Sequence, residues 1–160
     1  MILKILPDTC IYDKIIASPH LYDHIRELIR SKRIEIVQPH IITSQLEQAP
    51  ESKREKLLSI PARVIPVDGF LTGHSGAGDR VGDGSGGIKI DDIMKKKQPH
   101  EEDKKPTPGN IHDALIATTA AMEADVLVTE DRRLRNRAKL VKPTMHVWNF
   151  TDLESYLANF

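Results

Sequence analysis

Four acidic residues carry most of the chemistry this chain has to offer: Asp8, Glu47, Asp113 and Asp131. Asp8 follows the apolar run 2–6 directly after Pro7, and Asp131 follows the run 126–128 by three residues. Glu47 stands in Ser44-x-x-Glu47 and Asp113 in Asn110-x-x-Asp113, strings that read as the first turns of helices. Singly, each has an ordinary structural use, because Asp is a favoured helix N-cap and an acid three residues on completes a capping box. Gathered at one sheet edge, they would repel one another. At about 5 Å and an effective dielectric of about 20, each pair costs roughly 3 kcal/mol before screening. That is a large fraction of a domain's stability, so protons, basic side chains or a metal must offset it. A hard divalent cation with oxygen ligands, Mg²⁺ or Mn²⁺, fits such a set best. His and Cys at zinc-ligand spacing are absent from the sequence.

The elements that would bring these acids together are legible in outline. Apolar runs predict strands over 2–6, 34–37, 62–67, 126–128 and 145–148. Ser18-Pro19 opens a helix with Leu21, Ile25, Leu28 and Ile29 at helical spacing. Further helices are expected from Thr43 or Ser44, over 111–122, over 131–138, and after a capping box at Thr151 and Glu154. Strands alternating with helices imply a three-layer α/β/α fold around a mainly parallel sheet of about five strands. Ligands of such sheets bind outside the carboxyl ends of the strands, where Asp8 and Asp131 are expected.

One segment departs from the pattern. All nine glycines lie between Gly69 and Gly109, among Lys95 to Lys97, an acidic run and several prolines. The segment 69–109 reads as a long loop inserted into a single domain of 160 residues, with a short element around 88–94.

Around the acids, Thr129 is placed to orient a carboxylate or a metal-bound water through its hydroxyl. Ala117 and Ala120 lie on the same helix face as Asp113 and would leave space beside it. Arg132, Arg133, Arg135, Arg137, Lys139 and Lys142 make the stretch after Asp131 basic. Arg132 and Arg133, nearest the acids, are the first candidates for holding nucleic-acid phosphates.

Composition excludes little. Lys+Arg and Asp+Glu balance at 23 each, so no global field steers an anion to the protein. The single Cys10 suits a reducing compartment and reads as a small buried hydrophobe. The apolar start ends at Pro7, too early for a signal peptide, and no run approaches membrane length, so a cytoplasmic protein is expected. Gly82-x-Gly84-x-x-Gly87 matches a dinucleotide fingerprint as a string, but no apolar strand leads into it. A phosphoacceptor receiver domain would use Asp68, Thr129 and Lys142, yet Lys142 precedes the last strand and Asp8 has no acidic neighbour.

With its four segments in view, the chain resembles the PIN-domain ribonucleases, including their toxin members. The matching stretches are Asp8-Thr9 after a strand, Glu47 in a helix start, His112-Asp113-Ala114-Leu115-Ile116-Ala117, and Val128-Thr129-Glu130-Asp131, with an ending at Val147-Trp148-Asn149-Phe150-Thr151. The likeness spans nearly all of the chain outside 69–109. It implies one or two Mg²⁺ or Mn²⁺ ions at Asp8, Glu47, Asp113 and Asp131, hydrolysis of RNA to 5′-phosphate and 3′-hydroxyl products, a homodimer, and an antitoxin or other inhibitor as partner. Two departures stand out: Arg133 where many members carry a second acid, and the glycine-rich insertion. A PIN-fold binding protein that has lost catalysis is the alternative.

Overall fold

The computed structural model describes residues 1–66 and 108–160. Asp68, Gly82 to Gly87, Lys95 to Lys97 and the element expected at 88–94 lie outside those residues. Five strands run β1 (Leu3–Pro7), β2 (Ile34–Pro39), β3 (Arg63–Ile65), β4 (Val126–Val128) and β5 (His146–Trp148). Among the described residues the helices are α1 (Thr9–Ala17), α2 (Pro19–Arg30), α3 (His40–Glu47), α4 (Glu51–Leu58), α5 (Pro108–Glu123), α6 (Arg132–Val141) and α7 (Phe150–Leu157).

The strands form one sheet in the order β3-β2-β1-β4-β5, every neighbouring pair parallel. The expected three-layer α/β/α fold is therefore present. Sequence accounts for the order: β1, β2 and β4 are the near-continuous apolar runs, as strands covered on both faces must be. Ile5, Leu6, Val37, Leu127 and Val128 are fully buried, whereas the edge strands β3 and β5 keep exposed positions such as Val64 and His146. The order also excludes the receiver domain, whose sheet runs 2-1-3-4-5.

Prolines punctuate the carboxyl edge of the sheet. Pro7 and Pro39 end β1 and β2, and Pro66 follows β3, each where the ladder no longer needs an N–H. Past Pro7, the Asp8 N–H bonds the Val128 carbonyl at 2.9 Å and fixes the end of β1 to the end of β4.

Helix starts differ from expectation in three places. α3 begins at His40, directly after Pro39, so Ser44 and Glu47 form no capping box and Glu47 is the last residue of the helix. α5 begins at Pro108, a residue suited to a first turn, which moves Asp113 into the second turn. The box that opens α7 is Asn149 with Asp152, two residues before the expected one.

A buried polar chain holds α1 against β2 and α3. The Tyr12 hydroxyl donates to Gln38 Oε1 at 2.6 Å, and Gln38 Nε2 donates to Thr43 Oγ1 at 2.7 Å. Tyr12 is fully buried, and burial pushes its phenol well above its ordinary pKa, so it remains a donor. Tyr12→Phe deprives the buried Gln38 of that donor and is expected to cost about 1–3 kcal/mol, read by urea denaturation.

Candidate metal centre

The strand order places the reversal of the chain's path between β1 and β4, since β1 to β3 build one side and β4 and β5 the other. Crevices at such switch points are where parallel sheets bind ligands. Asp8 and Thr129 are the first residues beyond these two strands.

Asp8 is held at two oxygens. Its Oδ1 accepts from the Thr9 N–H at 2.7 Å, capping α1. Its Oδ2 accepts from the Thr129 hydroxyl at 2.9 Å, and the Cys10 thiol lies 3.6 Å away. Thr129 is fully buried and accepts from the Asp131 N–H at 3.0 Å. One hydroxyl thus binds Asp8 through its carboxylate and Asp131 through its backbone N–H. Asp131 in turn caps α6 through bonds from the N–H groups of Arg133 and Leu134. Burial pushes the Asp131 carboxyl up, but the Arg133 backbone, the Arg133 guanidinium and the Leu134 backbone outweigh it and hold it below its usual range.

Asp113 has the opposite character. Burial, then the charge of Asp131, and more weakly Asp8, raise its pKa against the pull of Arg133 and Arg137. Its Oδ2 is buried and has no hydrogen-bond partner among the described residues. An acceptor left this way in a native fold calls for a ligand or a strong local reason. Three acids are therefore within electrostatic reach of one another at the switch point: Asp8, Asp113 and Asp131.

The expected ligand Glu47 has a different setting. It is exposed at the end of α3. Gln45 faces the site instead, accepting at Oε1 from the Thr9 hydroxyl. Positions two apart on a helix point about 200° from each other, so both cannot face Thr9. The signal was present in the sequence: Ile42 and Leu46 mark the buried stripe of α3, and Gln45 lies nearer to it than Glu47 does.

The supporting residues take different settings. Ala117 and Ala120 belong to the main hydrophobic core and serve close packing there. Arg132 is exposed. Arg133 reaches Asp131 Oδ2 at 3.4 Å, and Arg137, one turn further along α6, acts with it on Asp113. The rest of the basic run ties backbone together: Arg135 reaches the Thr129 carbonyl, Lys139 that of Met145, and Lys142 that of Ala121. For Cys10, burial and the nearby Asp8 and Glu130 carboxylates raise the thiol pKa despite a backbone hydrogen bond at Glu130, which opposes a nucleophilic thiolate. A cleft of about 470 Å³ lined by Ile2, Ile29, Ile34 and Arg63 opens where β2 and β3 begin, away from the acids.

Whether a cation fits can be judged from the donors. The acids repel, they are hard oxygen ligands, and one buried oxygen lacks a partner, all of which suit Mg²⁺ or Mn²⁺. As the side chains stand, no group of three or more His, Cys, Asp or Glu among the described residues closes on a common centre.

No family model matches the chain, and no curated protein matches it. Its fold is similar to a solved structure, VapBC2 from Rickettsia felis bound to a DNA fragment from their promoter. The two are 18% identical, with 92% of this chain and 98% of that chain covered and a TM-score of 0.50. At that identity the likeness shows a shared, PIN-like fold. No helix among the described residues is long and apolar enough to cross a membrane.

Proposed function

We propose that the chain is a metal-dependent endoribonuclease of the PIN type, working in the cytoplasm as the toxin of a toxin–antitoxin pair or as a related defence nuclease. What supports this reading is the charge of Asp131 and, more weakly, Asp8 acting on Asp113, whose Oδ2 is buried and has no partner among the described residues. Asp8, Asp113 and Asp131 would hold a divalent cation, which would supply Lewis-acid stabilisation of charge on the phosphoryl and leaving oxygens and lower the pKa of a water. The chain's own part is positioning. Thr129 fixes Asp8 and Asp131 at once, and the helix caps restrict both carboxylates. Arg133 and Arg137 place positive charge beside Asp113, where a scissile phosphate would be drawn in. The VapBC2 complex that shares the fold supports an antitoxin-like protein partner. Homodimerisation rests on the resemblance alone.

The test is cleavage of a mixed panel of labelled RNAs and DNAs with Mn²⁺, Mg²⁺ or EDTA. RNA is expected to be cut in either metal, to leave 5′-phosphates, and to survive intact in EDTA. Cleavage of DNA alone would keep the chemistry and overturn the substrate. A silent protein that binds RNA without cutting it, while its melting temperature still rises with Mn²⁺, would favour the binding-protein alternative.

A further inference from the structure

We infer that the flank formed by β5 and α7 is a stacking surface for the single-stranded part of an RNA substrate. The inference deepens the ribonuclease reading and rests on it for the identity of the nucleic acid. Aromatic residues are few in this chain: one Trp, three Tyr and three Phe. Yet Trp148, Phe150, Tyr156 and Phe160 all lie on this flank. Three of them form a row. The Trp148 and Tyr156 rings are 4.7 Å apart and tilted at 41°, and the Tyr156 and Phe160 rings meet edge to face at 5.3 Å. Arg33 closes the row, its guanidinium 4.9 Å from the Phe160 ring. Trp148 and Tyr156 are partly buried against the main core, which holds the row in place, while Phe160 is 42% exposed.

Position connects this row to the acids. β5 pairs with β4 through Val128 and Trp148, and the Trp148 carbonyl accepts from the Thr129 N–H at 3.0 Å. The row therefore starts beside the residue whose hydroxyl binds Asp8. It ends at Arg33, which precedes β2 at the opposite edge of the sheet. A strand with one phosphate at the acids can continue along it.

Chemistry selects the ligand. Rings and a guanidinium accept any base by stacking and cation–π attraction, and bases offer free faces only where they are unpaired. Arg33 has no carboxylate partner among the described residues, which leaves its charge for a phosphate. Lys14, 5.2 Å over the Phe150 ring, is instead paired with Glu130 at 2.7 Å. Asp152, one turn before Tyr156, is engaged at the Asn149 N–H in the helix cap.

Trp148 is the one Trp of the chain, so its fluorescence reports on the row. Short end-labelled oligouridine is titrated in EDTA into wild type, Arg33→Gln, Tyr156→Leu and Phe160→Leu, with label anisotropy and Trp148 emission read together. Melting curves come first. Arg33 and Phe160 are exposed, so their variants keep the test open if Tyr156→Leu fails to fold. Binding is expected to quench Trp148 and to weaken about tenfold in Tyr156→Leu and in Phe160→Leu. Arg33→Gln should lose the salt dependence of about one phosphate contact. Duplex RNA should leave Trp148 unquenched. Equal quenching by the duplex, binding that spares Trp148 and is the same in every variant, or no binding to wild type would each overturn the inference. Mn²⁺-dependent cleavage by those same samples would then show that the ribonuclease reading survives it. Row-dependent binding by a chain that cuts no RNA in either metal would uphold the surface and sink the nuclease.

Discussion

Asp113→Asn is expected to abolish metal-dependent cleavage and, in the absence of metal, to make the protein more stable at neutral pH. The loss should reach at least about 10²–10³-fold, the scale on which removal of one electrostatic stabiliser lowers turnover. The gain in stability follows from the raised pKa of Asp113. Burial and the charge of Asp131 favour its protonated form in the folded state, whereas in the unfolded chain it ionises at the ordinary carboxylate value. Between those two values the unfolded state holds fewer protons, so stability falls as pH rises. Below that window both states are protonated and the deficit disappears. Above it the deficit is constant. The advantage of Asp113→Asn should therefore be absent in strong acid, grow as pH passes upward from the ordinary carboxylate range, and level off near neutrality, where a rise in melting temperature of about 2 °C or more is expected. Mn²⁺ should reverse the ranking. At a hundredfold excess over its dissociation constant, a ligand adds about 2.7 kcal/mol to the protein that binds it and nothing to the one that does not. If Asp113→Asn melts below wild type in EDTA at neutral pH, the burial of this carboxylate is structurally satisfied by something other than a cation, and the proposed centre loses its main support.

The frame of the site was legible because it is built from strands with few alternatives. Val126-Leu127-Val128 is wholly apolar, too short for a helix and closed by Thr129, and it forms β4 over those same residues. The start at 2–6 is closed by Pro7, and β1 follows within one residue. Once both are central parallel strands, Asp8 and Thr129 must emerge side by side. Helices were harder, because their boundaries depend on which of several adequate caps wins. Asn149 with Asp152 and Thr151 with Glu154 are both acceptable boxes, and the chain uses the first because α7 starts as soon as β5 ends. Ser44 with Glu47 looked like a third box, but Pro39 already starts α3 and turns that string into the helix's last turn. That competition leaves Glu47 exposed at the end of α3 and turns Gln45 toward Thr9. Helix α1 went unassigned beyond Asp8 as a candidate cap, since its β-branched Ile11, Ile15 and Ile16 favour strands as readily. Arg137 was passed over because the sequence offers six basic residues near Asp131 and only the packing of α5 on α6 selects among them.

Thr129→Val should separate the scaffold of the centre from its ligands. Valine fills the same volume as threonine and keeps the β-branched shape of the strand end, so only the hydroxyl is lost. That loss removes the donor to Asp8 Oδ2 and the acceptor of the Asp131 N–H at a fully buried site. Leaving one buried group unpaired costs about 1–3 kcal/mol, which urea denaturation in EDTA will report. The functional effect comes through Asp8, which keeps its cap bond from Thr9 but is no longer held at its second oxygen. Residues that orient a ligand without touching the metal typically account for about 10–100-fold in affinity or activity. Mn²⁺ should thus bind Thr129→Val about 10–100-fold more weakly, and turnover at saturating Mn²⁺ should recover part of the lost rate, as it cannot in Asp113→Asn. Thr129→Ser, which restores the hydroxyl at the price of one methyl group, should return the affinity to near the wild-type value. An unchanged Mn²⁺ affinity in Thr129→Val, alongside the expected loss of stability, would show that the hydroxyl only straps β1 to β4. Asp8 would then owe its position to the α1 cap alone.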